Sequence, residues 1–250
     1  MNRYPTNELS LRKIVKCSLR LHYLTLKHTI YCILGITLVK YTAVFLMMIF
    51  PDVVAQLSFF SIGTLVVIYF FSVALLTTHY AFIDKTQSLT HVFKIVNQRL
   101  LPILTTFILY VGGIIFIFFA SKLMTHALNQ LYFHGSLSVT DGGGMLIVCI
   151  LLMVYIALFF FSLPIAVIDK KSIKKSFYDS ALLTEGNKVG VLILFFLLLT
   201  VLILLTPGTI HEYFLSMYHL DIVFDFVVLC VAIPLYINLL LLLIHDSKVQ

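Results

Sequence analysis

Six long apolar runs constrain the fold of this chain more than any other feature of its sequence. A helix needs about 20 residues to cross roughly 30 Å of hydrocarbon, and each run is close to that length. The runs are approximately 29–50, 57–79, 102–125, 145–168, 189–206 and 222–244. Because backbone amides inside a bilayer must be paired within their own segment, we predict an all-α fold, a polytopic bundle of six transmembrane helices.

The composition supports lipid as the solvent of this chain. Hydrophobic residues make up 61% of the sequence, and the mean hydropathy is +1.06. A soluble domain of 250 residues has no interior large enough to hide that much apolar surface. We therefore predict that residues 1–250 form a single integral membrane domain.

The placement of the basic residues predicts the orientation of the chain. Of the 17 basic residues, all except Lys40 and Lys122 lie in the N-terminal segment, the second and fourth loops and the tail. This asymmetry is the positive-inside pattern, and it predicts a membrane protein with both termini cytoplasmic. We therefore expect the basic residues behind the net charge of +6 to contact anionic lipid headgroups on the cytoplasmic face, and not nucleic acid. The sequence predicts no particular protein partner.

Three segments at the cytoplasmic side are patterned as amphipathic surface helices: Asn7–Lys27, Ser88–Arg99 and Ile168–Lys188. In the third, Asp169 stands where a helix N-cap is expected, and Phe177 is expected on the apolar side with Ile173 and Ala181. The basic side chains of these segments predict contacts with the membrane surface. They are Arg12, Lys16, Arg20, Lys94, Lys170, Lys171, Lys174 and Lys175.

Each of these segments is followed by two apolar runs. The chain therefore reads as three parallel repeats, 7–83, 84–168 and 169–250, each a surface helix plus a transmembrane hairpin. Weakly matching blocks begin at Ser10, Ser88 and Ser172.

One stretch carries a family resemblance. Leu163–Lys170, followed by Ser176 and the residues 182–187, resembles the proline-containing span, Asp-Lys turn and basic surface helix of YciC-type bacterial inner-membrane proteins. It is also similar to the related membrane domain found beside some glycerophosphodiester phosphodiesterases. The resemblance lies mainly in the C-terminal half, and the outward loops depart from it. It implies a multi-pass inner-membrane protein with a non-enzymatic role and no catalytic motif.

The sequence lacks complete catalytic and metal-binding motifs, which favours the same expectation. His211-Glu212 lacks the second histidine of a zinc-protease helix, and no Gly-x-Ser-x-Gly elbow is present. The Asp141–Gly144 run lacks the strand and the lysine of a phosphate loop, so we predict a linker there.

Four outward histidines, with Glu212 and Asp221, allow a metal or proton-sensing cluster, but no pair has ligand spacing. We predict no enzyme activity, no cofactor and no metal. The four histidines are His126, His134, His211 and His219.

Lys40 is the one basic residue near the middle of a predicted span. An ammonium at that depth needs a partner or must snorkel along the lipid face. Counting residues along the other spans places three tyrosines near the depth of Lys40 and one aspartate closer to the outward surface. We predict that these residues form an interior polar site. Its members are Lys40, Tyr69, Tyr110, Tyr155 and Asp225. Two functions remain open: a lipid-contacting scaffold or envelope-organising protein, and a small transporter or flippase that uses this interior site.

Overall fold

The computed structural model describes residues 11–50, 52–83, 85, 87–132, 139–186 and 221–249, and the regular structure within these residues is entirely α-helical. The helices in chain order are α1 Leu11–Ile49, α2 Val53–Phe82, α3 Leu89–Gln98, α4 Leu100–Tyr132, α5 Val139–Phe159, α6 Ser162–Ile168, α7 Ile173–Gly186 and α8 Asp221–Val249. The predicted all-α fold class is confirmed for the described residues.

Five helical segments in the described residues are long and apolar enough to cross a membrane, which makes the chain an integral membrane protein. They are Arg12–Ile49, Val53–Phe82, Leu100–Met124, Val148–Ile168 and Phe226–Asp246. Each contains or overlaps one predicted run. The sixth predicted span, 189–206, lies outside the described residues.

Helix α1 differs from the prediction. A separate surface helix over Asn7–Lys27 was expected before the first span, but α1 is continuous for 39 residues, about 58 Å at 1.5 Å per residue. The residues around Lys27 include no proline or glycine to end a helix. The buried side also continues through this region, from Ser18 to Thr25 and Thr29. The first repeat therefore has no separate surface helix, and the three-fold repeat is not confirmed.

The predicted outward loop between the third and fourth spans is also largely helical. Helix α4 continues to Tyr132, and α5 begins at Val139, so the Asp141–Gly144 run lies within a helix rather than in a linker. A glycine inside a helix costs only about 1 kcal/mol relative to alanine.

Asp169 ends one helix instead of beginning the next. Its backbone N–H donates to the Ile165 carbonyl at 2.9 Å, which makes it the C-cap of α6. Lys170 follows with φ +54°, the left-handed conformation that commonly terminates helices. The chain therefore cannot begin a helix at Lys170, and α7 begins at Ile173.

The helices divide into two compact units, residues 1–100 with 189–250, and residues 101–188. In the first unit α1 packs on α2 and α8, and α2 packs on α3. The Ser88 hydroxyl caps α3 by accepting from the His91 amide at 3.3 Å, and α3 buries Val92 and Val96. In the second unit α7 packs on α5 and α6.

Candidate functional site

Lys40 continues the buried side of α1. Ile33, Ile36 and Thr37 are 0%, 6% and 6% exposed, and Lys40 follows them at helical spacing. The opposite side of the helix is exposed at Leu38 and Phe45. Lys40 itself is partly buried, and its ammonium lies 5.5 Å from the centroid of the Tyr41 ring. Lys40 is therefore neither fully buried nor fully exposed, and it follows the buried residues of α1 in helical register.

The tyrosines grouped with Lys40 by the sequence have partners of their own. The Tyr69 hydroxyl in α2 donates to Asn97 Oδ1 of α3 at 2.7 Å, and its ring lies 5.9 Å from that of Phe93. Tyr69 thus connects α3 to the long helix α2. Asp225 lies in α8, but its side chain is outside the described part of the chain. The predicted interior site remains a prediction.

Tyr110 and Tyr155 are brought together in the second unit. Their rings stack at 5.9 Å, and the Tyr155 hydroxyl donates to the carbonyls of Leu109 and Tyr110 at 3.4 and 3.3 Å. The hydroxyl occupies the space over Gly113 that a Cβ would fill. Aromatic contacts continue from Tyr155 to Phe159 at 4.9 Å and from Phe159 to Phe177 of α7 at 5.2 Å. A line of aromatic rings therefore connects α4, α5 and α7.

A polar cluster that the sequence did not predict joins α1 to α8. Asn238 is fully buried; its Nδ2 donates to the Ser18 carbonyl at 3.1 Å, and its Oδ1 accepts from the Thr25 hydroxyl at 2.5 Å. The Ser18 hydroxyl donates to the Leu235 carbonyl at 3.3 Å. Such bonds across transmembrane helices fix their packing, because an unpaired amide is costly in an apolar interior. The signal in the sequence was one asparagine inside an apolar run.

A break separates α5 from α6 at Phe160 and Phe161. Pro164 has no N–H to donate to the Phe160 carbonyl four residues earlier, and its ring clashes with that carbonyl in a regular helix. The break thus falls where the proline requires it. Within a membrane segment the released backbone groups need other partners.

Helix α7 supplies partners for three of the backbone groups at the break. The Ser180 hydroxyl accepts from the Phe161 amide at 3.0 Å and donates to the Leu158 carbonyl at 2.8 Å. The Thr184 hydroxyl donates to the Ala157 carbonyl at 2.8 Å. In an unbroken helix the Phe161 amide would bond the Ala157 carbonyl directly. Two hydroxyls of α7 therefore replace one rung of the broken helix.

These hydroxyls define the docking side of α7. Ser176, Ser180 and Thr184 are 0%, 0% and 3% exposed, whereas Ile173, Phe177 and Ala181, which the pattern assigned to the apolar side, are only partly buried. The spacing of the three hydroxyl residues at i, i+4 and i+8 was the missed signal.

Most of the predicted lipid-contact residues are exposed. They are Arg12, Lys16, Arg20, Lys94, Lys170, Lys174 and Lys175. Lys171 is the exception, because its ammonium lies 2.5 Å from Asp179 and 3.4 Å from Asp169. The hydrogen bond from Lys171 to Asp179 raises the pKa of Lys171, so this lysine is charged. Its positive charge is compensated by the two carboxylates rather than offered to lipid.

Within the described residues no group of three or more His, Cys, Asp or Glu side chains is arranged to hold a metal ion. Comparisons of the chain with protein-family models, with curated proteins and with solved structures found no match. The resemblance to YciC-type proteins therefore remains a prediction.

Proposed function

We propose that this chain is a non-enzymatic multi-pass protein of the bacterial inner membrane. Its basic helices contact anionic lipid headgroups on the cytoplasmic side, and the protein acts as a lipid-contacting scaffold or envelope-organising factor. The resemblance of Leu163–Lys170 to YciC-type proteins is consistent with this proposal.

The exposed row on α1 carries the proposal. Arg12, Lys16 and Arg20 are exposed, while Ile14 and Ser18 between them are buried. The row belongs to a helix that continues without a break into an apolar span. Cations at the end of a membrane helix are attracted to anionic headgroups by about 1 kcal/mol each. The helix fixes the three cations relative to one another, and in this proposal they contact headgroups at the membrane surface.

Lipid retention by the purified full chain tests the proposal. The protein is placed in nanodiscs with equal amounts of phosphatidylglycerol and phosphatidylcholine, then extracted, and the retained lipid is quantified by mass spectrometry. We expect enrichment of phosphatidylglycerol in the wild type that falls with added salt. The triple variant Arg12→Gln, Lys16→Gln, Arg20→Gln should lose much of it. Lys122→Gln removes a charge predicted on the other side and is the control. Equal retention of both lipids by the wild type would overturn the proposal.

One observation favours a second candidate function, a small transporter or flippase. Lys40 follows the buried residues Ile33, Ile36 and Thr37 along α1, and an ammonium directed into a bundle is typical of a substrate or ion pathway. In that case ions, lipids or amphiphiles should raise the melting temperature of the wild type but not of Lys40→Met.

A further inference from the structure

Helix α7 has two opposite sides. Its docking side, Ser176, Ser180 and Thr184, is buried against the α5–α6 break. At 100° per residue, four residues whose side chains are exposed lie on the opposite side. We call them the outer face of α7: Lys174, Lys175, Tyr178 and Leu182, all exposed, with Tyr178 at 64% and Leu182 at 50%.

Lys174 and Lys175 are not paired with the two described carboxylates that lie closest to them in the sequence, Asp169 and Asp179. The carboxylates of Asp169 and Asp179 both lie on Lys171. Lys174 and Lys175 remain exposed, and the exposed Lys170 precedes the helix. The outer face therefore offers two ammonium groups next to two large exposed side chains, those of Tyr178 and Leu182.

We propose that the outer face of α7 is a docking surface for anionic phospholipid. Lys174 and Lys175 bind headgroup phosphate, Tyr178 lies at the headgroup level, and Leu182 contacts the acyl chains. The proposal rests on the proposed function, since it requires the basic helices to lie at the membrane surface. Cations and exposed apolar side chains on one helix face match an interfacial lipid, which presents phosphate and hydrocarbon together. A free phosphate ion would leave Tyr178 and Leu182 without a role.

The contacts of α7 with α5 and with the α5–α6 break fix the orientation of the outer face. The hydroxyls of Ser180 and Thr184 bond backbone atoms at the break, and the Phe177 ring packs on Phe159 at 5.2 Å. A rotation of α7 about its axis would break all of these contacts. The lysines are therefore held outward by the same bonds that complete the broken helix.

The absence of tryptophan from the chain allows a direct test. Tyr178→Trp gives the full-length protein a single fluorescent reporter on the outer face. It is reconstituted in mixed vesicles in which either phosphatidylglycerol or phosphatidylcholine is brominated near the headgroup end of its chains. We expect brominated phosphatidylglycerol to quench this reporter more strongly at equal mole fraction. Adding Lys174→Gln and Lys175→Gln should lower the apparent association of that lipid about fivefold per lysine.

Two controls separate the outcomes. Lys85→Gln with Lys94→Gln removes two charges from another part of the chain and should leave the quenching of the reporter on α7 unchanged. Tyr23→Trp places the reporter on α1 beside the exposed Arg20 and tests the proposed function itself. Preferential quenching of the α1 reporter but not of the α7 reporter would overturn the α7 surface alone. Equal quenching by the two lipids at both positions would overturn the proposed function as well. Preferential quenching of the α7 reporter that survives removal of both lysines would also overturn the α7 assignment.

Discussion

The Ser180 hydroxyl accepts a hydrogen bond from the Phe161 amide at 3.0 Å, across a gap of 19 residues in the chain. This contact joins the polar helix α7 to a backbone amide at the break that separates the apolar helices α5 and α6. It helps the membrane segment accommodate the break, because α7 bonds the Phe161 amide and the carbonyls of Ala157 and Leu158.

Removing this contact should destabilise the protein. Ser180→Ala leaves the buried Phe161 amide without its partner, and an unsatisfied buried amide costs about 1–3 kcal/mol. We expect a lower melting temperature in detergent. Ser176→Ala is the matched control, since Ser176 is equally buried but its hydroxyl bonds only the Ser172 carbonyl of its own turn. Equal losses in the two variants would argue against the bridging role of Ser180.

Two adjacent glycines give a second test. A Cβ at Gly113 would overlap the Tyr155 hydroxyl, whereas a Cβ at Gly112 would meet nothing within 4 Å. Gly113→Ala should displace Tyr155 from its carbonyl partners and cost about 1–3 kcal/mol, as overpacking commonly does. Gly112→Ala should be neutral or stabilising by up to about 1 kcal/mol, because alanine favours the helix. Thermal unfolding of both variants measures the difference, and a stabilised Gly113→Ala variant would contradict the tyrosine contact.

The Thr25–Asn238 contact should show measurable coupling. A double-mutant cycle with Thr25→Val and Asn238→Leu isolates the pair, and hydrogen bonds between membrane helices average about 0.6 kcal/mol in such cycles. Thr29 is equally buried but bonds only the Thr25 carbonyl of its own helix. A cycle with Thr29→Val and Asn238→Leu should therefore give a coupling near zero. No coupling in the first cycle would show that the cluster does not fasten α1 to α8.

Much of the fold follows from composition and periodicity. Five of the predicted spans match apolar helices, because a run of apolar residues has few other stable structures in lipid. The start of α3 was also predictable, since Ser88 precedes a clear helical pattern and caps it.

The points where helices begin and end, and the contacts between helices, were harder to predict. Nothing local distinguishes a surface helix that stops at Lys27 from one that continues, and the buried side shared with Ser18 and Thr25 favours continuation. The partner of Ser180 is a backbone amide, which carries no sequence signal of its own. Asp169 looked like an N-cap, but the left-handed Lys170 places it at a helix end.

Lys40→Met separates the two candidate functions. Removing an ammonium from a bilayer segment removes a desolvation cost, so the variant should fold with equal or greater stability. The scaffold function predicts that lipid retention in nanodiscs stays at the wild-type level. Loss of a ligand-induced thermal shift in this variant, with Lys40→Arg retaining it, would instead favour the transporter function.

The most direct test of the central claim, that the basic helices share the cytoplasmic side of the membrane, is cysteine labelling in intact cells. The natural Cys17, Cys32, Cys149 and Cys230 are replaced, and single cysteines are placed at Val54, Thr90 or Lys174. All three positions are exposed. An impermeant thiol reagent should label position 54 from outside, and positions 90 and 174 only after permeabilisation. Labelling of positions 90 and 174 in intact cells, with position 54 protected, would contradict the account.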